Sequence, residues 1–237
     1  MVRALGCGPS GCRFKSGRSP TKTMKIFDLV NKWGIKLKRL FWLPEKFVYV
    51  ALGDSTAEGI GATDPSRSYP SLVFEKIKQD KKEAVFYNLG KGGARVKDVI
   101  ESQLPKVIEL KPDLVTISVG ANDLHGRTKL KHFEKDFFKL IEVLSERTEA
   151  TIIISNIPDV SLLPSLSIFV RYLSKFLTRR LNRVIYRYAK RSQCVLIDLY
   201  DGSKMYSKKY SDLISEDGFH PSDKGYSLWA KAITDYL

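Results

Sequence analysis

Four short motifs bring together residues able to do chemistry as a set. They are Gly53-Asp54-Ser55, Asn88-Leu89-Gly90-Lys91-Gly92-Gly93-Ala94, Gly120-Ala121-Asn122-Asp123 and Asp217-Gly218-Phe219-His220-Pro221. A serine hydroxyl is a poor nucleophile until a base takes its proton. His220 is a candidate base, and Asp217, three positions earlier, is a candidate to orient it. Glycines in the second motif allow backbone N–H groups to approach a ligand closely. Each motif alone is weak, since Gly-Asp-Ser arises by chance and an Asn-Asp pair after a strand is ordinary turn chemistry. The signal is their joint occurrence, in this order and at one edge of the predicted sheet.

The elements that must position these residues are legible from periodicity. Short apolar runs predict strands over 47–52, 85–89, 113–119, 150–155 and 194–199, covered on both faces. Helical spacing fills the gaps, over roughly 69–81, 96–110, 129–147, 166–191 and 222–236. Pro105 falls inside the second of these helices, where it kinks or splits it. Strands separated by helices imply a parallel, doubly wound α/β/α sheet with right-handed crossovers. In such a sheet ligands bind beyond the carboxyl ends of the strands, where the motifs lie. The stretch from Thr56 to Ser68 contains Gly59, Gly61, Ala62 and Pro65 and reads as a loop that shapes the pocket. Asp54 and Asp123 read as structural carboxylates, His125 as an exposed loop residue, and His132 has no evident role.

Charge divides the chain unevenly. The net charge over 237 residues is +14, and residues 1–50, with 11 Lys/Arg and 2 Asp/Glu, carry +9 of it, leaving +5 for the remainder. Residues 1–23 are rich in Gly, Ser, Pro, Lys and Arg and cannot bury enough surface to fold. They read as a disordered leader or upstream extension, with Met24 as a second plausible start. Residues 24–46 hold a basic amphipathic helix over 25–42, with Ile26, Val30, Trp33, Leu37 and Leu40 on one side and Lys25, Lys32, Lys36 and Arg39 on the other. Its apolar face either packs on the domain or lies in the interface of an anionic membrane. Residues 47–237 form the α/β domain. Within it, no acidic residue occurs between Val160 and Ile197, while eight Lys/Arg do, from Arg171 to Arg191. The apolar side of that helix reads Phe169, Leu173, Phe176, Leu177, Leu181, Val184 and Tyr188. Its basic side is a solvated face or a second anionic contact. Nucleic acid is disfavoured, because no recognised binding motif accompanies the charge.

Three cysteines make no disulfide framework and suit a reducing compartment. Three histidines and no Cys/His spacing leave no metal site, and no apolar run approaches the roughly 18 residues of a membrane span. The expected location is cytoplasmic, peripheral at a membrane if the 25–42 helix engages one.

From Val48 to about Ala232 the chain resembles the SGNH (GDSL-type) hydrolase family. Gly53-Asp54-Ser55, Gly93 within Gly-Gly-Ala, Gly120-x-Asn122-Asp123 and Asp217-x-x-His220 carry the likeness. In the second motif, Gly92 stands where the family often has serine. The resemblance implies the flavodoxin-like strand order 2-1-3-4-5. It implies Ser55, His220 and Asp217 as a catalytic triad, with the N–H groups of Ser55 and Gly93 and the Asn122 side-chain amide as oxyanion donors. It implies a serine esterase or lipase for carboxylic acyl esters. The strained Gly-x-Ser-x-Gly elbow of α/β-hydrolases is absent. A carbohydrate O-deacetylase using the same machinery is an alternative, as is a non-catalytic protein of the membrane surface. The basic helix and the apolar residues between Ile157 and Phe169 favour lipid-like esters. The chemistry needs no metal or organic cofactor, and the sequence offers no site for one.

Overall fold

The computed structural model describes residues 46–237, apart from residues 127, 164, 165 and 206 and the side chains of 207–209. The leader (1–23) and the amphipathic helix (25–42) lie outside these residues, as does all but the last residue of segment 24–46. In chain order the elements are β1 (Val48–Gly53), α1 (Ser55–Glu58), α2 (Tyr69–Asp80), β2 (Val85–Asn88), α3 (Val96–Asp98), α4 (Leu104–Leu110), β3 (Leu114–Ser118), α5 (Ala121–His125), α6 (Leu130–Arg147), β4 (Thr151–Ser155), α7 (Ile168–Arg191), β5 (Val195–Ile197), α8 (Leu199–Met205) and α9 (Asp223–Thr234). The strands form one parallel sheet in the order β2-β1-β3-β4-β5, as the resemblance implies.

Alternation along the strands builds the three layers. Val50, Leu52, Val115, Ile117, Ile152 and Ile154 turn to one face, under α3, α4, α6 and α7. Tyr49, Ala51, Leu114, Ile153 and Ile197 turn to the other, under α2 and α9. Helix α6 shows how the pattern fixes the packing. Phe133, Phe137, Leu140, Ile141 and Leu144 recur at helical spacing and are all fully buried. Each side chain so buried contributes about 1.5–3 kcal/mol.

The structure refines the sequence reading at five points, each with a physical cause, and at one of them, the split before Pro105, the expectation is met. Strand β2 is an edge strand with Tyr87 and Asn88 exposed, because only β1 flanks it. The run 194–199 is a strand only over Val195–Ile197. The Asn156 side chain there donates to Asp198 Oδ1 and accepts the Tyr200 N–H, which starts α8. The 96–110 helix is split by a π-turn, Val99–Gln103, in which the Leu104 N–H reaches back to the Val99 carbonyl. A proline lacks an N–H and clashes with the carbonyl four residues back, and the widened turn precedes Pro105. The apolar side of α7 is buried only from its middle onward. Among the described residues its first turns meet little to pack against, and Phe169 and Tyr172 are 75% and 72% exposed. Finally, the stretch 56–68, whose Thr56 lines the recess beside His220, is tied to α9. Thr63 gives its N–H and hydroxyl to the Asp223 carboxylate, and Tyr226 donates to the Ile60 carbonyl at 2.6 Å.

Candidate active site

The turn after β1 is fixed on every side. Gly53 has φ +142°, and a Cβ there would lie 1.8 Å from the Ser118 carbonyl oxygen, so only glycine fits. Its N–H donates to Gln103 Oε1 at 2.9 Å, and its carbonyl accepts from Gln103 Nε2 at 2.8 Å. Gln103 is 3% exposed and reaches this position from the π-turn. Asp54 then caps α1: its Oδ1 accepts the Thr56 N–H at 3.0 Å and the Thr56 hydroxyl at 2.7 Å. Thr56 and Ser118 share a further hydroxyl–hydroxyl bond of 2.6 Å. Asp54 is only 2% exposed, and burial pushes its carboxyl up to about 6 against the Thr56 hydrogen bonds and the nearby His220.

Ser55 opens α1, so its N–H belongs to the helix-terminal donors that have no partner within the helix. Its Oγ lies 2.9 Å from His220 Nε2. His220 Nδ1 lies 2.6 Å from Asp217 Oδ2, while Asp217 Oδ1 accepts the Ser215 hydroxyl and the N–H groups of Phe219 and His220 at 2.8–2.9 Å. Burial alone would raise the Asp217 carboxyl, but these hydrogen bonds outweigh it and hold the group well below the usual carboxylate range. With that carboxylate at Nδ1, the neutral imidazole carries its proton there and leaves Nε2 free to accept from Ser55.

The glycine-rich segment after β2 resolves which N–H is free. The Gly92 N–H donates to Glu58 Oε2 at 2.6 Å, and the Ala94 N–H to the Lys91 carbonyl. No acceptor among the described residues takes the Gly93 N–H. Asn122 Nδ2 uses one hydrogen on the Ala94 carbonyl, 3.1 Å away, and keeps the other. Donors are therefore spare on the three residues the sequence nominates, Ser55, Gly93 and Asn122.

The neighbouring titratable residues are accounted for. Asp123 is buried and accepts the Val96 N–H at 3.0 Å, pinning α3 to α5, and burial raises its carboxyl. His125 is exposed, with its ring 5.1 Å from Phe219, which in turn packs edge-on at 5.0 Å against His220. His132 is exposed on α6. Among the described residues no group of three His, Cys, Asp or Glu side chains is placed to hold a metal, and no helix is long and apolar enough to cross a membrane.

Beside His220 opens a largely apolar recess, lined by Ile157, Val160, Leu163, Ile214 and Trp229, with Asp54 and Ser118 also at its wall. It shares Pro158, Tyr210, Ile214, Pro221 and Trp229 with a second apolar recess bounded by α8 and α9. Residues missed in the sequence are Gln103, Glu58, Thr56 and Ser215. Only Gln103 left a signal: it is a lone polar residue at a stripe position between Val99 and Val107.

Comparison with known proteins places these features in context. The GDSL-like Lipase/Acylhydrolase family matches residues 51–228. The Bacillus subtilis protein YpmR is 27% identical over 214 residues, 80% of either chain. The spore germination lipase LipC of Bacillus licheniformis is 23% identical over 206 residues, 78% of this chain and 93% of that one. The crystal structure of the lipase Lip_vut3 from a goat rumen metagenome superposes with a TM-score of 0.66 at 21% identity, covering 80% of this chain and 96% of that chain, a likeness of fold.

Proposed function

The chain belongs to the GDSL-like lipase/acylhydrolase family, a family of carboxylic ester hydrolases, and from that premise we propose that it cleaves esters of fatty acids through an acyl-Ser55 intermediate. The observation that carries the mechanism is the hydrogen-bonded chain from Ser55 Oγ through His220 to Asp217, at 2.9 and 2.6 Å. Ser55 Oγ attacks the ester carbonyl carbon while His220 Nε2 takes its proton. Asp217 keeps the other ring nitrogen protonated and stabilises the imidazolium that forms. The carbonyl oxygen gains its charge among the Ser55 and Gly93 N–H groups and the Asn122 amide. The tetrahedral adduct collapses as its C–O bond breaks, and His220 returns the proton to the leaving alcohol. Water then repeats the sequence on the acyl-enzyme and releases the acid. Each oxyanion donor is worth about 10²–10³ in turnover, and the serine on the order of 10⁶.

Support for a fatty rather than an acetyl group comes from the recess beside His220. Its aliphatic walls suit methylene groups, each of which gains about 0.8 kcal/mol on burial. The experiment is p-nitrophenol release from acetate, butyrate and octanoate esters by wild type and Ser55→Ala, with acetylated xylan as a parallel substrate. Turnover that rises with chain length and vanishes in Ser55→Ala is expected. Activity retained by Ser55→Ala removes the mechanism. A preference for acetylated xylan over every simple ester removes the acyl-chain reading and favours the O-deacetylase.

A further inference from the structure

We propose that the first turns of α7 form a docking surface for an anionic lipid bilayer, which holds the Ser55 edge of the sheet against the membrane. The proposal is independent of the acyl-enzyme mechanism.

The surface stands out in both composition and exposure. Ile168, Phe169, Tyr172, Leu173 and Phe176 are exposed around much of the helix circumference, Phe176 by 58%. Single exposed apolar residues need no explanation, but with Val170 there are six within nine positions, a patch of the kind that marks a contact. Interleaved and following them are cations. Arg180 lies over the Phe176 ring at 5.5 Å, and among the described residues no carboxylate pairs with Lys175, Arg180 or Arg183. No acid occurs from Val160 to Ile197 to offset them. Aromatic and aliphatic side chains mixed with Lys and Arg, without acids, match the interface of a bilayer bearing anionic lipids. There the rings enter the headgroup–acyl boundary and the long basic stems reach the phosphates. A second copy of this chain would set like charges against each other, which argues against a dimer through this face.

The placement gives the contact a purpose. Leu177, Arg180 and Leu181 share a surface pocket with Asp123 and Leu124, so the middle of α7 stands beside the turn carrying Asn122. In a parallel α/β fold the helix after β4 starts at the carboxyl edge of the sheet, the same edge that carries Ser55 and Asn122. The nine residues from Leu177 back to Ile168 extend about 13 Å further that way, at 1.5 Å per residue. The start of the helix is also tied to the recess wall. Arg171 Nε donates to the Leu166 carbonyl at 3.0 Å, and Leu163, three residues earlier, lines the recess beside His220. A membrane held on these turns therefore lies next to the opening through which a lipid ester would enter.

The test uses the full chain with phosphatidylglycerol-containing and pure phosphatidylcholine vesicles, read by co-flotation and by amide hydrogen exchange over 167–177. Binding to the anionic vesicles alone, with slowed exchange in that segment, is expected. Phe169→Ser/Phe176→Ser should weaken binding by about 10²-fold, at roughly tenfold per aromatic removed. Lys175→Gln and Arg183→Gln should each weaken it about fivefold. All these variants should keep the wild-type rate on p-nitrophenyl butyrate, which shows that they fold, and Ser55→Ala should bind as wild type does. Unchanged exchange over 167–177 during binding, or a double-serine variant that binds normally, overturns the proposal and leaves the contact to segment 25–42. Equal binding to neutral vesicles, no binding at all, or a dimer abolished by the double-serine change overturns it as well.

Discussion

Replacing Asp54 by asparagine should make the protein's stability less dependent on pH, and the size of the effect follows from the site. Asp54 sits beneath the nucleophile, almost wholly buried, with its carboxyl raised from 3.8 to about 6. A carboxyl raised on folding favours the native state while it is protonated. That contribution is whole below about pH 4 and is lost as pH rises through about 6. A shift of about two units corresponds to about 3 kcal/mol, at about 1.4 kcal/mol per unit. Asparagine keeps the oxygen that accepts from Thr56, so the cap on α1 survives, and it never ionises. The free-energy difference between Asp54→Asn and wild type should therefore move by about 3 kcal/mol in the variant's favour between pH 4 and pH 8. For a domain of this size that is a relative change in Tm of roughly 6–12 °C. Urea and thermal unfolding of the two proteins at intervals of one pH unit would measure it. A difference that stays constant across the range would refute the reasoning, because it would mean that the Thr56 hydrogen bonds and His220 fully offset the cost of burying the charge.

Two further substitutions probe the surroundings of Ser55. Gln103→Leu removes the acceptor on the buried Gly53 N–H and should cost about 1–3 kcal/mol; urea unfolding reads the loss, and kcat should fall by more than KM rises because the change displaces the nucleophile rather than the substrate pocket. Val160→Phe fills the recess beside His220 and should lower the octanoate-to-butyrate ratio of kcat/KM by about tenfold or more while sparing acetate, an outcome that a chain-length series settles directly.

The candidate site residues were legible because each stands in a short local motif. Asp217 and His220 are three positions apart, and Ser55 ends a strand whose apolar run is unmistakable. The sheet was legible for the same reason, since Ile152, Ile153 and Ile154 announce a buried strand without reference to anything else. What escaped depends on pairs far apart. Gln103 is fifty positions from Gly53, and nothing near either residue marks the partnership. The sequence nominates Gly93, whose N–H no described residue engages, but the reason escaped: Glu58 engages the Gly92 N–H from 34 positions away. Helices α1 and α5 have four and five residues, too few for a hydrophobic period to appear. Helix α7 shows the converse failure: its apolar periodicity runs its whole length, but whether a stripe is covered depends on where the neighbouring elements stop.

The ties between the 56–68 stretch and α9 also determine when the site can exist. Ser55 and His220 are 165 positions apart, and the bonds from Thr63 to Asp223 and from Tyr226 to Ile60 join the two ends of the domain. A growing chain leaves the ribosome amino end first, so Ser55 is made long before His220. Until the last helix has been synthesised and has docked against the first turns of the domain, the bonds that tie the Ser55 end of the domain to the His220 end are missing. In the proposed mechanism hydrolytic ability thus arrives at the end of synthesis, and a chain truncated before α9 keeps Asp217 and His220 but loses the bonds from α9 that help to hold them beside Ser55.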